Sequence, residues 1–131
     1  MTKNEIGAIV VDTAIKVHKI LGPGLLESVY EVVLARQLSK RGLHVQRQVP
    51  VPIIYEEDQF DEGFRADIIV NQCVILELKS AEQLHPVHLK QLQTYLKLTG
   101  CRLGFLLNLN ESLMKSGIHR CVNGLPDIQT I

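Results

Sequence analysis

Two segments near the start of the chain repeat apolar residues at helical spacing. The first follows Thr2 and Glu5, which fit a helix-capping box, and continues to Leu21. A Gly-Pro-Gly sequence at residues 22–24 ends it, because glycine and proline disfavour a helix interior. The second covers about residues 26–40 and is followed by a glycine suited to a helix end. The pattern therefore predicts two consecutive helices.

The next segment alternates apolar and polar residues. This period of two over residues 45–55 indicates a strand. Pro50 and Pro52 cannot donate hydrogen bonds to a neighbouring strand, so we expect the second half to be an edge or to leave the sheet. The acidic and polar residues 56–62 predict a turn.

The second half of the chain has further β-rich and helical runs. They predict two hairpin strands around Asn71-Gln72, a third helix, a short apolar strand and a weaker last strand, at residues 64–70, 73–79, 86–98, 103–107 and 117–122. A hairpin followed by a helix and another strand implies a mixed sheet with helices packed on it. We therefore predict one α/β (α+β-like) domain over residues 1–131, in the order helix, helix, three strands, helix, and one or two strands.

Composition and charge are those of a globular protein. The 131 residues are 46% hydrophobic and 21% charged, and 14 Lys+Arg balance 14 Asp+Glu. This balance argues against binding nucleic acid by bulk charge alone, although it allows a local basic groove. No apolar run suggests a membrane span, and the N-terminus lacks the form of a signal peptide. Three scattered cysteines favour reduced thiols, so we expect a cytoplasmic protein.

Charged residues interrupt the two hairpin strands. Asp67 lies in the first, and Glu77 and Lys79 lie in the second, where alternation puts both on one face. A two-residue loop would pair Asp67 with Leu76 and put the carboxylates on opposite faces, whereas a three-residue loop would pair Asp67 with Glu77. A functional site therefore requires an odd-length loop or a bulge.

Two converging carboxylates form a hard-oxygen site that suits Mg²⁺ or Mn²⁺. Lys79 beside them would orient or deprotonate a water, or stabilise charge on a phosphate. The alternative is an ordinary strand whose charged side chains form cross-strand ion pairs in solvent. The residues alone leave both interpretations open.

The helices carry two further polar pairs. Glu27 lies in the first turn of the second helix, where the helix dipole favours a carboxylate, and Tyr30 shares its side. Gln91 and Tyr95 are one turn apart on one face of the third helix. Each pair also suits a purely structural role.

Together these features resemble the PD-(D/E)xK nuclease superfamily, and within it the small bacterial family named for its GxxExxY motif. The matching segments are Gly24-x-x-Glu27-x-x-Tyr30, Gly63-Phe64-Arg65-Ala66-Asp67, Glu77-Leu78-Lys79 and Gln91-x-x-x-Tyr95. They extend over about residues 5–125, with Ala66 in place of the leading proline. The resemblance implies a restriction-endonuclease-like core with a central mixed sheet flanked by helices.

The resemblance also implies roles for these residues. Asp67 and Glu77 would bind the metal, together with the main-chain carbonyl of Leu78. Glu27 would be an extra ligand or would position the water, and Lys79 would be the catalytic lysine. The residues that would contact the substrate or support the ligands are Gln91, Tyr95 and Tyr30.

We therefore predict a nuclease that uses Mg²⁺ or Mn²⁺ to hydrolyse phosphodiester bonds in nucleic acid, with DNA favoured over RNA. The alternative is a non-catalytic nucleic-acid-binding or accessory protein that retains the fold, against which the intact Asp–Glu–Lys set argues. Because only 5% of residues are aromatic, stacking surface is scarce, and a homodimer or another partner is a candidate for gripping the substrate.

The zero net charge is an average over unlike regions. Of the 14 acidic residues, five fall within residues 56–62 and three are proposed site residues, which leaves six against 14 basic residues elsewhere. Neutrality is thus compatible with a nucleic-acid substrate, held by weak and salt-sensitive contacts.

Overall fold

The computed structural model describes residues 1–123. The helices are α1 (Lys3–Leu21), α2 (Glu27–Lys40), α3 (Pro86–Thr99) and α4 (Met114–Gly117). The strands are β1 (Val45–Pro50), β2 (Ile53–Tyr55), β3 (Asp58–Phe60), β4 (Arg65–Val70), β5 (Val74–Lys79), β6 (Leu103–Asn108) and β7 (Ile118–Val122).

Five strands form the central sheet, in the order β1-β4-β5-β6-β7. Neighbouring strands are antiparallel except β5 and β6, which are parallel. A parallel pair needs a crossover connection, and α3 lies in the one between β5 and β6. The predicted mixed sheet flanked by helices is confirmed and is consistent with a restriction-endonuclease-like fold.

The two faces of the sheet pack against different helices. On β5, Leu76 and Leu78 belong to the larger core, which α1 and α2 complete, whereas Ile75 packs in the smaller core with α3. Since side chains alternate along a strand, Glu77 and Lys79 share the α3 side with Ile75. The fold thus separates the larger core from the charged residues.

The helix ends follow the predicted signals. At the start of α1, the Thr2 N–H donates to Glu5 Oε1 (2.7 Å) and the Glu5 N–H donates to Thr2 Oγ1 (3.1 Å), which completes the capping box. Gly22 and Gly100 follow α1 and α3 with φ of 79° each, a conformation that favours glycine. Within residues 1–123, no helix has both the length and the hydropathy to cross a lipid bilayer.

A small hairpin departs from the prediction. As expected, β1 is an edge strand that ends at Pro50, and the chain then leaves the central sheet. The prediction of a simple turn over residues 56–62 is wrong, because β3 lies within it and pairs with β2, with Tyr55 opposite Asp58. All three β3 residues are exposed, so no alternation reveals the strand. The short α4 was also not predicted.

Candidate active site

The β4–β5 loop sets the register of two carboxylates. Val70 pairs with Val74, so the loop has three residues (71–73). The pairing ends at Ile68 and Leu76, and Asp67 and Glu77 are the next residue of each strand. The first two loop residues have φ of 49° and 56°, left-handed conformations that reverse the chain. The odd-length loop that convergence requires is confirmed.

Asp67 and Glu77 replace regular pairing at the point where it stops. The last paired residues of β4 and β5 at this end are Ile68 and Leu76. Beyond them, the Asp67 N–H donates to Glu77 Oε1 (3.2 Å), and the Leu78 N–H donates to Asp67 Oδ2 (2.8 Å). Carboxylate oxygens thus take the place of backbone carbonyls, which fixes the two acidic side chains next to each other.

Burial makes this carboxyl pair unfavourable without a cation. Glu77 is only 6% exposed. Its burial, and then the charge of Asp67, raise its pKa from 4.5 to about 8, although Lys79 acts in the opposite direction. A divalent ion would offset the repulsion, and two adjacent carboxylates supply the hard oxygen ligands that Mg²⁺ or Mn²⁺ prefers. The residues present therefore fit such an ion.

Lys79 lies beside Asp67 and Glu77, and within the described chain its ammonium has no direct ionic partner. The side chain is half-buried and shares a strand face with Glu77. Within the described chain, Glu77 senses its charge, but the ammonium makes no hydrogen bond or ion pair. An unengaged ammonium beside two carboxylates is suited to meeting an anionic group.

Asn108 holds the end of β5 in place. It lies opposite Lys79 on β6 and is 2% exposed. Its Nδ2 donates to the Ala81 carbonyl (3.0 Å), and its Oδ1 accepts from the Ala81 N–H (3.1 Å). The neighbouring Leu109 N–H donates to the Lys79 carbonyl (2.7 Å). No sequence pattern singles out this residue.

Helix α3 brings Tyr95 and Gln91 to the same side of the sheet. Tyr95 is buried and packs edge to face on Phe64, with ring centroids 5.2 Å apart. Burial raises the pKa of Tyr95, and so do the charges of Glu77 and Asp67, which places this ring within their electrostatic reach. Gln91 is half-buried beside a cavity of about 450 Å³, which is lined by Phe64, Val87, Lys90, Gln91 and Thr94.

The predicted α2 residues do not join the carboxyl pair. Glu27 is exposed in the first turn of α2. Among residues 1–123, no three His, Cys, Asp or Glu side chains are grouped closely enough to share a metal ion, so Glu27 does not complete such a group. The Tyr30 hydroxyl donates to the Ala14 carbonyl (2.8 Å) and packs α2 on α1. Roles for Glu27 and Tyr30 in the site stay predictions.

A different α2 residue connects to the site. Glu31 is 4% exposed and accepts hydrogen bonds from Arg47 Nε (2.9 Å) and Gln48 Nε2 (2.8 Å). Gln48 Nε2 also lies 3.5 Å from Asp67 Oδ1. Neither Glu31 nor Gln48 is among the predicted site residues. Glu31 lies four residues after Glu27, which puts the two on one helix face, and this spacing is a sequence signal for Glu31.

Comparison with known proteins identifies the family of this chain. A family model for the PD-(D/E)XK nuclease superfamily matches residues 4–121, a segment that includes every predicted site residue. No curated protein and no solved structure matches significantly. Since the family model covers most of the sequence, the chain belongs to the PD-(D/E)XK nuclease superfamily.

Proposed function

We propose that this protein is a divalent-metal-dependent nuclease that hydrolyses phosphodiester bonds, with DNA favoured over RNA. Membership of the superfamily supports nuclease activity and a nucleic-acid substrate in general terms. The observation that carries the proposal is the carboxyl pair, in which a buried Glu77 lies against Asp67. Two ionised carboxylates are costly at a buried site, and this raises the pKa of Glu77. A bound divalent cation would displace that proton and compensate both charges.

In the proposed chemistry, carboxylates bind the metal ion and the Lys79 ammonium acts on the phosphate. A bound Mg²⁺ or Mn²⁺ would lower the pKa of a water and polarise a phosphate oxygen. Asp67 and Glu77 would hold the ion, with the Leu78 carbonyl and Glu27 as further candidate ligands. Lys79 would stabilise the negative charge that develops on the phosphate, because its ammonium has no competing partner in the described chain.

Residues on α3 and α2 would support this centre. Tyr95 would exclude water from the α3 side of Glu77, where it is itself buried. Gln91 would contact the substrate from the cavity that it lines with Lys90. Tyr30 would act indirectly, by holding α2 against α1 through its bond to the Ala14 carbonyl.

The motif Gly24-x-x-Glu27-x-x-Tyr30 supports placing the chain in the GxxExxY branch of the superfamily. We further propose a cytoplasmic location, which the free cysteines favour. A homodimer or another partner would help to hold the substrate, since a single small domain with few aromatic residues offers limited contact area.

A nuclease assay tests the proposal. Single-stranded, duplex and branched DNA, and RNA, are each incubated with Mg²⁺, Mn²⁺ or EDTA. We expect EDTA-sensitive cleavage that falls at least about 100-fold in Asp67→Asn, Glu77→Gln and Lys79→Met, because each loses a group acting directly on the metal or the phosphate.

The exposed residues Glu82 and Lys97 supply controls matched in charge. Glu82→Gln and Lys97→Met are expected to cleave like the wild type. Folded Asp67, Glu77 and Lys79 variants with full activity would contradict the proposal. Metal binding without cleavage of any substrate would also contradict it and would favour a non-catalytic binding role.

A further inference from the structure

Glu31 and Gln48 form a polar connection that the proposed chemistry does not use. Glu31 is 4% exposed, although it is a carboxylate in a helix packed on the sheet. Arg47 Nε bonds one of its oxygens (2.9 Å) and Gln48 Nε2 bonds the other (2.8 Å). With both oxygens engaged, Glu31 is held in one orientation.

Gln48 has an unusual backbone for a strand residue. Its φ is 50°, in the left-handed region, whereas the register on either side is regular, with Arg47 opposite Ile68 and Val49 opposite Ala66. Successive side chains of a regular strand point to opposite faces, yet Arg47 and Gln48 both reach Glu31. The strained backbone permits this. The left-handed conformation of a residue other than glycine costs free energy. Such strain persists only where the surrounding structure imposes it, and it is common at functional sites.

The contacts fix which way the Gln48 amide points. Its nitrogen lies 2.8 Å from Glu31 Oε1 and 3.5 Å from Asp67 Oδ1. The NH₂ group of Gln48, and not its amide oxygen, therefore faces the two carboxyl groups. The Gln48 carbonyl accepts a bond from Arg65 Nη1 (3.1 Å), which secures the backbone as well.

We propose that Gln48 is a positioning residue for Asp67, and that Glu31 anchors Gln48. The inference rests on the proposed function, in which Asp67 binds a divalent ion. The Leu78 N–H holds Asp67 Oδ2 (2.8 Å), and the Gln48 amide faces Asp67 Oδ1. These two donors limit rotation of the carboxylate, so it meets the ion in one orientation. Outer hydrogen bonds of this type support metal affinity without contacting the metal.

The variant Gln48→Gly separates positioning from folding. Glycine adopts a φ of 50° without strain, so the backbone is retained while the amide is lost. Gln72 provides a matched control, because it is an exposed glutamine with φ of 56° in the β4–β5 loop. We expect Gln72→Gly to keep the wild-type melting temperature, and Gln48→Gly to stay folded because relief of the backbone strain offsets the lost bond to Glu31. The full-length chain is titrated with Mn²⁺ alone and followed by electron paramagnetic resonance.

Gln48→Gly is expected to bind Mn²⁺ about 10-fold to 100-fold more weakly than the wild type, and Gln72→Gly with unchanged affinity. Gln48→Met keeps the length and backbone cost of glutamine but has no donor, so it should show the same loss. Wild-type affinity in either Gln48 variant, once folded, overturns the inference. If the wild-type chain binds no Mn²⁺, the proposed function fails and the inference fails with it. If the wild type binds Mn²⁺ and the folded Gln48 variants bind it equally well, only the inference fails.

Discussion

The carboxyl of Glu77 links chemistry to stability at the scale of one residue. Burial and the neighbouring charge of Asp67 raise its pKa to about 8, while Lys79 opposes the shift. The buried Tyr95 ring is the nearby titratable group on α3. Because the unfolded chain ionises this group near 4.5, the folded state binds an extra proton between the two pKa values. Metal-free stability should therefore fall as pH rises through that interval.

Glu77→Gln should remove this dependence. The amide cannot ionise, and its oxygen can still accept the Asp67 N–H. In EDTA, urea unfolding should show that Glu77 lowers wild-type stability by on the order of 2–4 kcal/mol from about pH 4.5 to pH 8, a decrease that is absent in Glu77→Gln. Glu82→Gln, at an exposed position, should keep the wild-type slope. A wild-type profile that is flat or rises with pH would refute the prediction.

The residues at the candidate site differ in how well the sequence predicts them. Asp67, Glu77 and Lys79 were selected because charges inside apolar strands need an explanation. The structure confirms the odd-length loop that brings the two carboxylates together, while the roles of the three residues stay predictions. Gln48 was not found, because regular alternation assigns it and Arg47 to opposite faces. Only the positive φ reverses that expectation, and no local sequence pattern indicates it.

At the scale of elements, the ends of β5 and β6 are joined by a side chain. Asn108 imitates a backbone partner, since its amide both donates to and accepts from Ala81. Its Oδ1 also accepts the Asn110 N–H (3.2 Å). The segment after Lys79 is thereby tied to β6 where the parallel ladder ends, which keeps the lysine backbone in a fixed position.

Asn108→Ala should destabilise the protein by about 2–4 kcal/mol, because it empties a buried side-chain position and removes both bonds to the half-buried Ala81 backbone. Urea unfolding measures the change. Asn110 is exposed, so Asn110→Ala keeps its backbone bond to Asn108 and should stay within about 0.5 kcal/mol of the wild type. Equal stability of the two variants would show that the Asn108 bonds contribute little.

The long elements were predictable and the short ones were not. Periodicity and end signals place α2 and α3 to within about one residue, because each has enough turns to show a pattern. The hairpin of β2 and β3 and the four-residue α4 are too short to show one. The order of the central strands depends on long-range pairing, for which the sequence supplied only the hairpin and the sheet class.

At the scale of the molecule, neutral charge conceals an acidic region close to the site. Exposed acidic residues occupy the segment 56–62, which connects β1 to β4. These strands carry Gln48 and Asp67, so the acidic segment extends from the same part of the sheet. Its field repels phosphates, and we expect it to weaken binding of nucleic acid along this edge.

Replacing Glu56, Glu57 and Glu62 together with Gln should tighten duplex binding several-fold at about 50 mM salt, because repulsion is removed. Fluorescence anisotropy on the Glu77→Gln background measures affinity without cleavage. The advantage should shrink at about 200 mM salt as screening increases. An advantage that is absent at low salt, or independent of salt, would exclude electrostatic repulsion as the cause.

The carboxyl pair also bears on how such a protein can evolve. A change of Glu77 to glutamine is expected to abolish cleavage while leaving the fold at least as stable. Selection for folding therefore does not protect this residue, and only selection for cleavage retains it. Asn108 is in the opposite position, because its loss damages the scaffold whatever the protein does. In lineages that no longer need cleavage, Glu77 should be lost early and Asn108 kept, leaving an inert but intact descendant.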